Sequence, residues 1–290
     1  MRRITLALIF TSMLAVFVPT ARAATVGPTL KSGWKDLPES SLTSDAAIVL
    51  DSKTGKVLYE KNPDAKRVLA SLTKIMTSVI FVEQKPSWSR VVAMSDDDEV
   101  GGGRLQVATG TKLTNKDLLY CALVGSANNT ATAMMNNSGL SDTVFIDQMN
   151  VRAATLGMSS TRYDDASGMD PRNVTTARDM SKLVQYAFGN PTIQKAASTM
   201  EYRFSTISPV IKKKIKNTDE LLLDADNDLW IVAGKTGYLD ESKYNLAIKV
   251  KDMKKTRELV VVTLGADTKR QSFDETEKLT KWAWDNYEWK

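Results

Sequence analysis

The sequence contains no histidine and only one cysteine in 290 residues. The first absence excludes every Ser-His-Asp and Cys-His catalytic site and the histidine-based zinc motifs. The second excludes a disulfide within the chain, and Cys121, set among Leu118, Leu119, Ala122 and Leu123, reads as a small core residue. A hydrolase made from this chain must take its base from Lys, Asp, Glu or Tyr. Long apolar runs are also scarce. The one at residues 4–18 follows Arg2 and Arg3 and precedes the small-x-small end Ala21-Arg22-Ala23. It is shorter than the ~20 residues that span a bilayer, so residues 1–23 read as a secretory signal, with an uncleaved anchor as the alternative, and no membrane anchor is expected once the signal is cleaved. Basicity is modest as well: without Arg2, Arg3 and Arg22 the 39 basic side chains become 36 against 34 acidic ones. Charge therefore gives no argument for nucleic acid.

What is present is an ordinary globular composition, 42% hydrophobic and 25% charged. Residues 24–44 form a polar leader, and residues 45–290 form the folded domain. Within it, residues 46–51 and 56–60 are two strands of a hairpin around the turn Ser52-Lys53-Thr54-Gly55. Residues 85–195 read as a helical subdomain, with helices over 118–123 and 142–156 and another capped near Thr176. Strands return at about Tyr202, and residues 230–235, 244–250 and 258–264 make a meander. A last helix carries Phe273, Leu279, Trp282, Trp284 and Tyr287, aromatics suited to packing on a sheet. The expected fold is α/β of the α+β kind: an antiparallel five-stranded sheet from residues 45–70 and 200–290, flanked by helices, with the all-helical subdomain inserted.

Apparent ligand motifs fail on inspection. Gly101-Gly102-Gly103 lacks the Gly-Lys-Ser/Thr ending of a phosphate cradle. The run from Asp224 imitates a calcium loop, but Leu229 occupies its sixth position and Lys235 its twelfth. No metal or cofactor is expected.

Ser71 and Lys74 carry the chemistry. Ile75, Met76, Val79, Ile80 and Val82 follow at helical spacing, so Ser71 opens a buried helix and Lys74 lies one turn along on the same face. A serine hydroxyl needs a base, and a lysine serves when burial and nearby positive charge keep it neutral. Ser-x-x-Lys also occurs at Ser32 to Lys35, and Lys-Thr-Gly at Lys53 to Gly55, but neither copy has the right context. Taken singly, these residues are ordinary helix starts, caps and turns. Ser71-x-x-Lys74, Ser126-x-Asn128 and Lys235-Thr236-Gly237 in this order form the triplet of serine acyl-transfer enzymes that handle penicillins.

With Asp51 to Asn62, Ala70 to Thr77, Thr176 to Met180 and Gly234 to Tyr238 added, the chain resembles the low-molecular-weight penicillin-binding proteins, serine-type D-alanyl-D-alanine carboxypeptidases and endopeptidases. The likeness runs from about Ser44 to the C-terminus. It implies the penicillin-binding/β-lactamase-like transpeptidase fold. It also implies that Ser71 is acylated, that Lys74 is its base, and that Ser126 relays a proton to the leaving amine. Asn128 would hold the substrate amide and Lys74, Lys235 would supply positive potential, and Thr236 would bind the substrate carboxylate. Gly237 would let substrate lie against the strand edge, and the backbone N–H groups of Ser71 and Tyr238 would form the oxyanion hole. Implied partners are peptidoglycan stem peptides ending in D-Ala-D-Ala, crosslinked peptides, and β-lactams as inhibitors, in the periplasm or another extracytoplasmic space.

Two departures from the family pattern stand out. Asn129-Thr130 replaces Asp-Ala, Ser272 stands where relatives carry an arginine before the phenylalanine, and Arg270 is the candidate to compensate. The alternatives are a class A-like β-lactamase and a catalytically silent peptidoglycan-binding protein. The first needs a glutamate for deacylation, and none lies between Glu99 and Glu201; Asp164, Asp165 or Asp170 would have to substitute.

Overall fold

The computed structural model describes residues 27–289; the expected signal segment lies outside them. The chain enters through the hairpin β1 (Ala46–Asp51) and β2 (Val57–Lys61), then forms helix α1 (Thr73–Glu83). Helices α2 (Asn115–Val124), α3 (Asn128–Asn136), α4 (Asp142–Thr155), α5 (Ala177–Ala187) and α6 (Pro191–Ala197) follow. A second hairpin, β3 (Glu201–Ser205) and β4 (Lys212–Lys216), precedes the short helix α7 (Glu220–Leu223). The meander β5 (Trp230–Leu239), β6 (Lys243–Lys251) and β7 (Glu258–Ala266) leads into α8 (Lys269–Asn286).

The five long strands form one antiparallel sheet in the order β5-β6-β7-β1-β2, as the hairpin and meander predict. Side chains alternate along each strand, and both faces are buried. Ile48, Val260 and Val262 join the core shared with α1 to α6. Val49, Leu259 and Val261 face the opposite way, against Phe273, Leu279 and Trp284 of α8. The terminal aromatics therefore pack on the sheet, and Trp282 also meets Tyr59 edge-on at 5.5 Å. No helix among the described residues is long and apolar enough to cross a membrane.

Helix α1 is the axis of the molecule. Every residue from Thr73 to Phe81 is buried, so the helix is enclosed by protein on all sides. Helix α5 starts at Thr176, whose hydroxyl accepts from the Asp179 N–H at 3.1 Å. The helical part also carries short strand pairs, Val91–Ala93 with Lys112–Thr114 and, reaching outside it, Arg67–Val68 with Val174–Thr175. Pairs this short leave little periodicity to read. Strand β5 is the edge of the main sheet, and its free side runs past the turn that carries Ser71.

Candidate active site

Ser71 sits in a single 3-10 turn, Ala70–Leu72, continuous with α1. The residue before it, Ala70, has φ +48°, a left-handed conformation costly for a residue with a Cβ. Gly168, at φ +88°, packs against the Ala70 carbonyl so closely that a Cβ there would lie 2.0 Å from its oxygen and 2.5 Å from its carbon. Both colliding atoms are backbone, so nothing flexible can move aside. Gly168→Ala is expected to cost about 2–3 kcal/mol or more. A thermal melt showing a clear drop in Tm checks this, and an unchanged melt would contradict it.

The Lys74 amine is fully buried and has three neighbours: Ser71 Oγ at 2.8 Å, Asn128 Oδ1 at 2.6 Å and the Ser167 carbonyl at 2.6 Å. Two of these are carbonyl oxygens, which only accept. A neutral amine has two N–H groups and one lone pair, so donation to both carbonyls turns the lone pair toward the Ser71 hydroxyl. Electrostatics favour that neutral form. Burial depresses the Lys74 pKa most, the Lys235 charge lowers it further, and Asp165 opposes them.

Asp165 also builds the turn that brings the Ser167 carbonyl to Lys74. Its carboxylate accepts from the Ser167 and Gly168 N–H groups at 3.0 Å each and from Asn173 Nδ2 at 2.6 Å. Asp164 is paired with Arg162, and Asp170 with Arg172. All three aspartates that a β-lactamase reading would use are thus committed to turn bonds or ion pairs.

Ser126 joins α2 to α3 and has φ +57°. Its hydroxyl accepts from Lys235 Nζ at 2.8 Å, and Lys235 also donates to the Thr236 carbonyl at 2.9 Å. The Lys235 pKa is lowered to about 7 by burial, with Asp219 opposing. Asn128 holds Lys74 through its carbonyl, while its Nδ2 donates to the Gly101 carbonyl at 2.8 Å. The glycine loop therefore has a role that motif reading missed: Gly102 passes so close to Asn128 that a Cβ would come within 2.7 Å of Nδ2. Asn129 anchors the same loop by accepting from the Leu105 N–H at 2.9 Å and donating to Glu99 at 3.0 Å.

These groups border a cleft of about 810 Å³ lined by Ser71, Gly102, Ser126, Asn128, Thr236 and Tyr238, among others. The cleft brings together Ser71, Ser126, Asn128, Thr236 and Gly237 of the three motifs, with Lys74 and Lys235 buried behind it. Thr236 donates to the Thr218 hydroxyl at 2.7 Å, a partner not singled out in the sequence. Gly237 is crowded by the protein itself: a Cβ would lie 3.0 Å from the Leu69 carbonyl oxygen and 3.3 Å from the Leu72 N. Its first service is thus to let β5 approach the Ser71 turn. Tyr238 is 49% exposed at the rim, its hydroxyl on Asp240 at 2.6 Å.

Arg270 does not fill the arginine position as expected. Its guanidinium pairs with Asp274 one helical turn on, its side chain is 79% exposed, and it does not line the cleft. The α8 residues that do are Lys269, Ser272 and Phe273; Lys269 is paired with Glu220, and Lys216 lies on the β4 side.

A hydroxyl bonded to a buried amine, with a second hydroxyl–lysine pair across one cleft, is the arrangement that serine acyl transfer without histidine requires, and it stands here on an antiparallel-sheet scaffold. The chain belongs to the Peptidase_S11 family, D-alanyl-D-alanine carboxypeptidase, which matches residues 35–268. It is a serine-type peptidase of the D-alanyl-D-alanine carboxypeptidase and endopeptidase group. A D-alanyl-D-alanine endopeptidase of Pseudomonas aeruginosa is 32% identical over 276 residues, covering 94% of this chain and 86% of that protein. Another from Escherichia coli is 29% identical, covering 93% and 85%. The solved D-alanyl-D-alanine carboxypeptidase of Mycobacterium tuberculosis shares the fold, with a TM-score of 0.78 at 24% identity, covering 90% of this chain and 96% of that one.

Proposed function

We propose that the protein is an extracytoplasmic D,D-endopeptidase that cuts D-alanyl crosslinks between peptidoglycan stem peptides through an acyl-enzyme on Ser71, and that penicillins inhibit it. The Lys74 amine 2.8 Å from Ser71 Oγ carries the reading. Lys74 takes the Ser71 proton as Oγ attacks the D-alanyl carbonyl carbon. The resulting oxyanion is received by the backbone N–H groups of Ser71 and Tyr238. Ser126, polarised by Lys235, gives its proton to the departing amine nitrogen and is reprotonated from Lys74. The acceptor stem leaves with the amine, and water then cleaves the ester, releasing the donor stem peptide with a free D-alanyl carboxylate and restoring Ser71. Thr236 binds the carboxylate on the leaving side, with Lys235 adding positive charge. Asn128 holds the substrate amide while fixing Lys74.

The choice of endopeptidase over carboxypeptidase rests on the Pseudomonas aeruginosa and Escherichia coli relatives, both named endopeptidases and both covered over most of their length. Incubation with a purified crosslinked muropeptide dimer and, separately, a monomer ending in D-Ala-D-Ala tests it. The dimer is expected to be cut at least ~10-fold faster, as judged by chromatography. Faster release of free D-Ala from the monomer would make the protein a carboxypeptidase instead.

A further inference from the structure

A buried carboxylate behind the cleft has no part in the acylation scheme. Asp219 is fully buried at the start of α7. Its Oδ1 accepts from the Leu221 N–H at 3.0 Å, but Oδ2 has no hydrogen-bond partner among the described residues. That oxygen is pressed against Gly234, where a Cβ would lie 2.0 Å away. Gly234 immediately precedes Lys235. The adjoining residue, Thr218, is bonded to Thr236, so residues 218 and 219 lie against the strand segment that carries Lys235. An ionised carboxylate with one oxygen unpaired is costly in an interior unless an opposite charge compensates it.

We propose that Asp219 is the counter-charge of Lys235, a positioning residue that keeps this lysine an ammonium and so sustains Ser126 polarisation and carboxylate recognition. The inference rests on the acylation scheme above. Other charges near the pair are already answered. On α7, Glu220 is paired with Lys269 of α8. On β6, Lys249 and Lys251 are paired with Glu258, and Lys243 with Asp267. On α6, Lys195 is at the surface. Lys74 of α1 is driven toward its neutral form by burial and by the Lys235 charge, with Asp165 opposing that shift. The electrostatics agree with the geometry: burial raises Asp219 to about 6, while the Leu221 and Leu222 N–H groups and, after them, the Lys235 charge pull it down. Lys235 is held at about 7 against burial by Asp219. Lysine is charged below its pKa and aspartate above its own, so both charges coexist near neutrality and Lys235 loses its charge as pH rises.

The test is the pH profile of penicillin acylation for the wild type and Asp219→Asn, which keeps the size and the helix-cap oxygen while removing the charge. Without the carboxylate, Lys235 deprotonates at lower pH. The alkaline limb is expected to move down by about one pH unit, a loss of about 10-fold at pH 8 with little change at pH 6. Asp219→Ser, which also retains a cap oxygen, is expected to behave alike and decides the matter where Asn prevents folding. Superimposable profiles, or a uniform loss at every pH, would overturn the proposal by reducing Asp219 to a structural cap. A wild type that forms no adduct would instead overturn the acylation scheme itself.

Discussion

Ser71→Ala is expected to lower turnover of a D-alanyl peptide by about 10⁶-fold, as loss of a nucleophile does where it acts as a unit with its base. Folding is not expected to suffer. The side chain is half-buried, its hydroxyl bonds Lys74, and alanine fits the 3-10 turn without adding volume. Binding should survive as well, because Thr236, Lys235 and Asn128 are untouched. The discriminating result is therefore a dead enzyme with a wild-type melt and retained affinity for the substrate. Activity within ~10-fold of wild type would remove Ser71 from the chemistry.

The second large effect concerns Lys74. Lys74→Met removes the base while approximately keeping the length and apolar stem, and a general base contributes about 10²–10⁴-fold. Lys74→Arg separates a base from a charge, since a guanidinium does not deprotonate in proteins. If Lys74 acts as a base, both variants fall by at least ~10²-fold in the rate of penicillin acylation, measured by stopped-flow. If its role were only to supply positive charge, arginine would recover much of the loss. Burial and the nearby Lys235 ammonium account for why a lysine can do this work at neutral pH.

The convergence of the three motifs was legible because each lies in or beside an element with its own periodicity. Ser71 opens an apolar helix, Ser126 follows another, and Lys235 lies on a strand, so their order along the chain could be read. The second half of the site was not. Ser167 reaches Lys74 from 93 residues away, and Lys235 meets Ser126 across 109, through backbone carbonyls and hydroxyls that carry no pattern. The left-handed conformations of Ala70 and Ser126 are imposed by packing, since neither residue type prefers them. Gly168 was a legible turn residue, but its contact with Ala70 depends on how two distant segments meet. Arg270 was misassigned for a simpler reason. It was chosen for sequence proximity to Phe273, whereas helical spacing places it with Asp274 on the outer face of α8 and gives the cleft face to Lys269, Ser272 and Phe273. The link proposed between Asp219 and Lys235 was invisible because the α7 turn folds back onto β5 only in the tertiary structure.

The measurement closest to the central claim is the intact mass of the mature protein after brief treatment with a penicillin, followed by peptide mapping. One added drug mass per chain, located on the peptide containing Ser71 and absent from Ser71→Ala, is the predicted result. An adduct on another residue, or an unmodified protein beside intact drug, would contradict it.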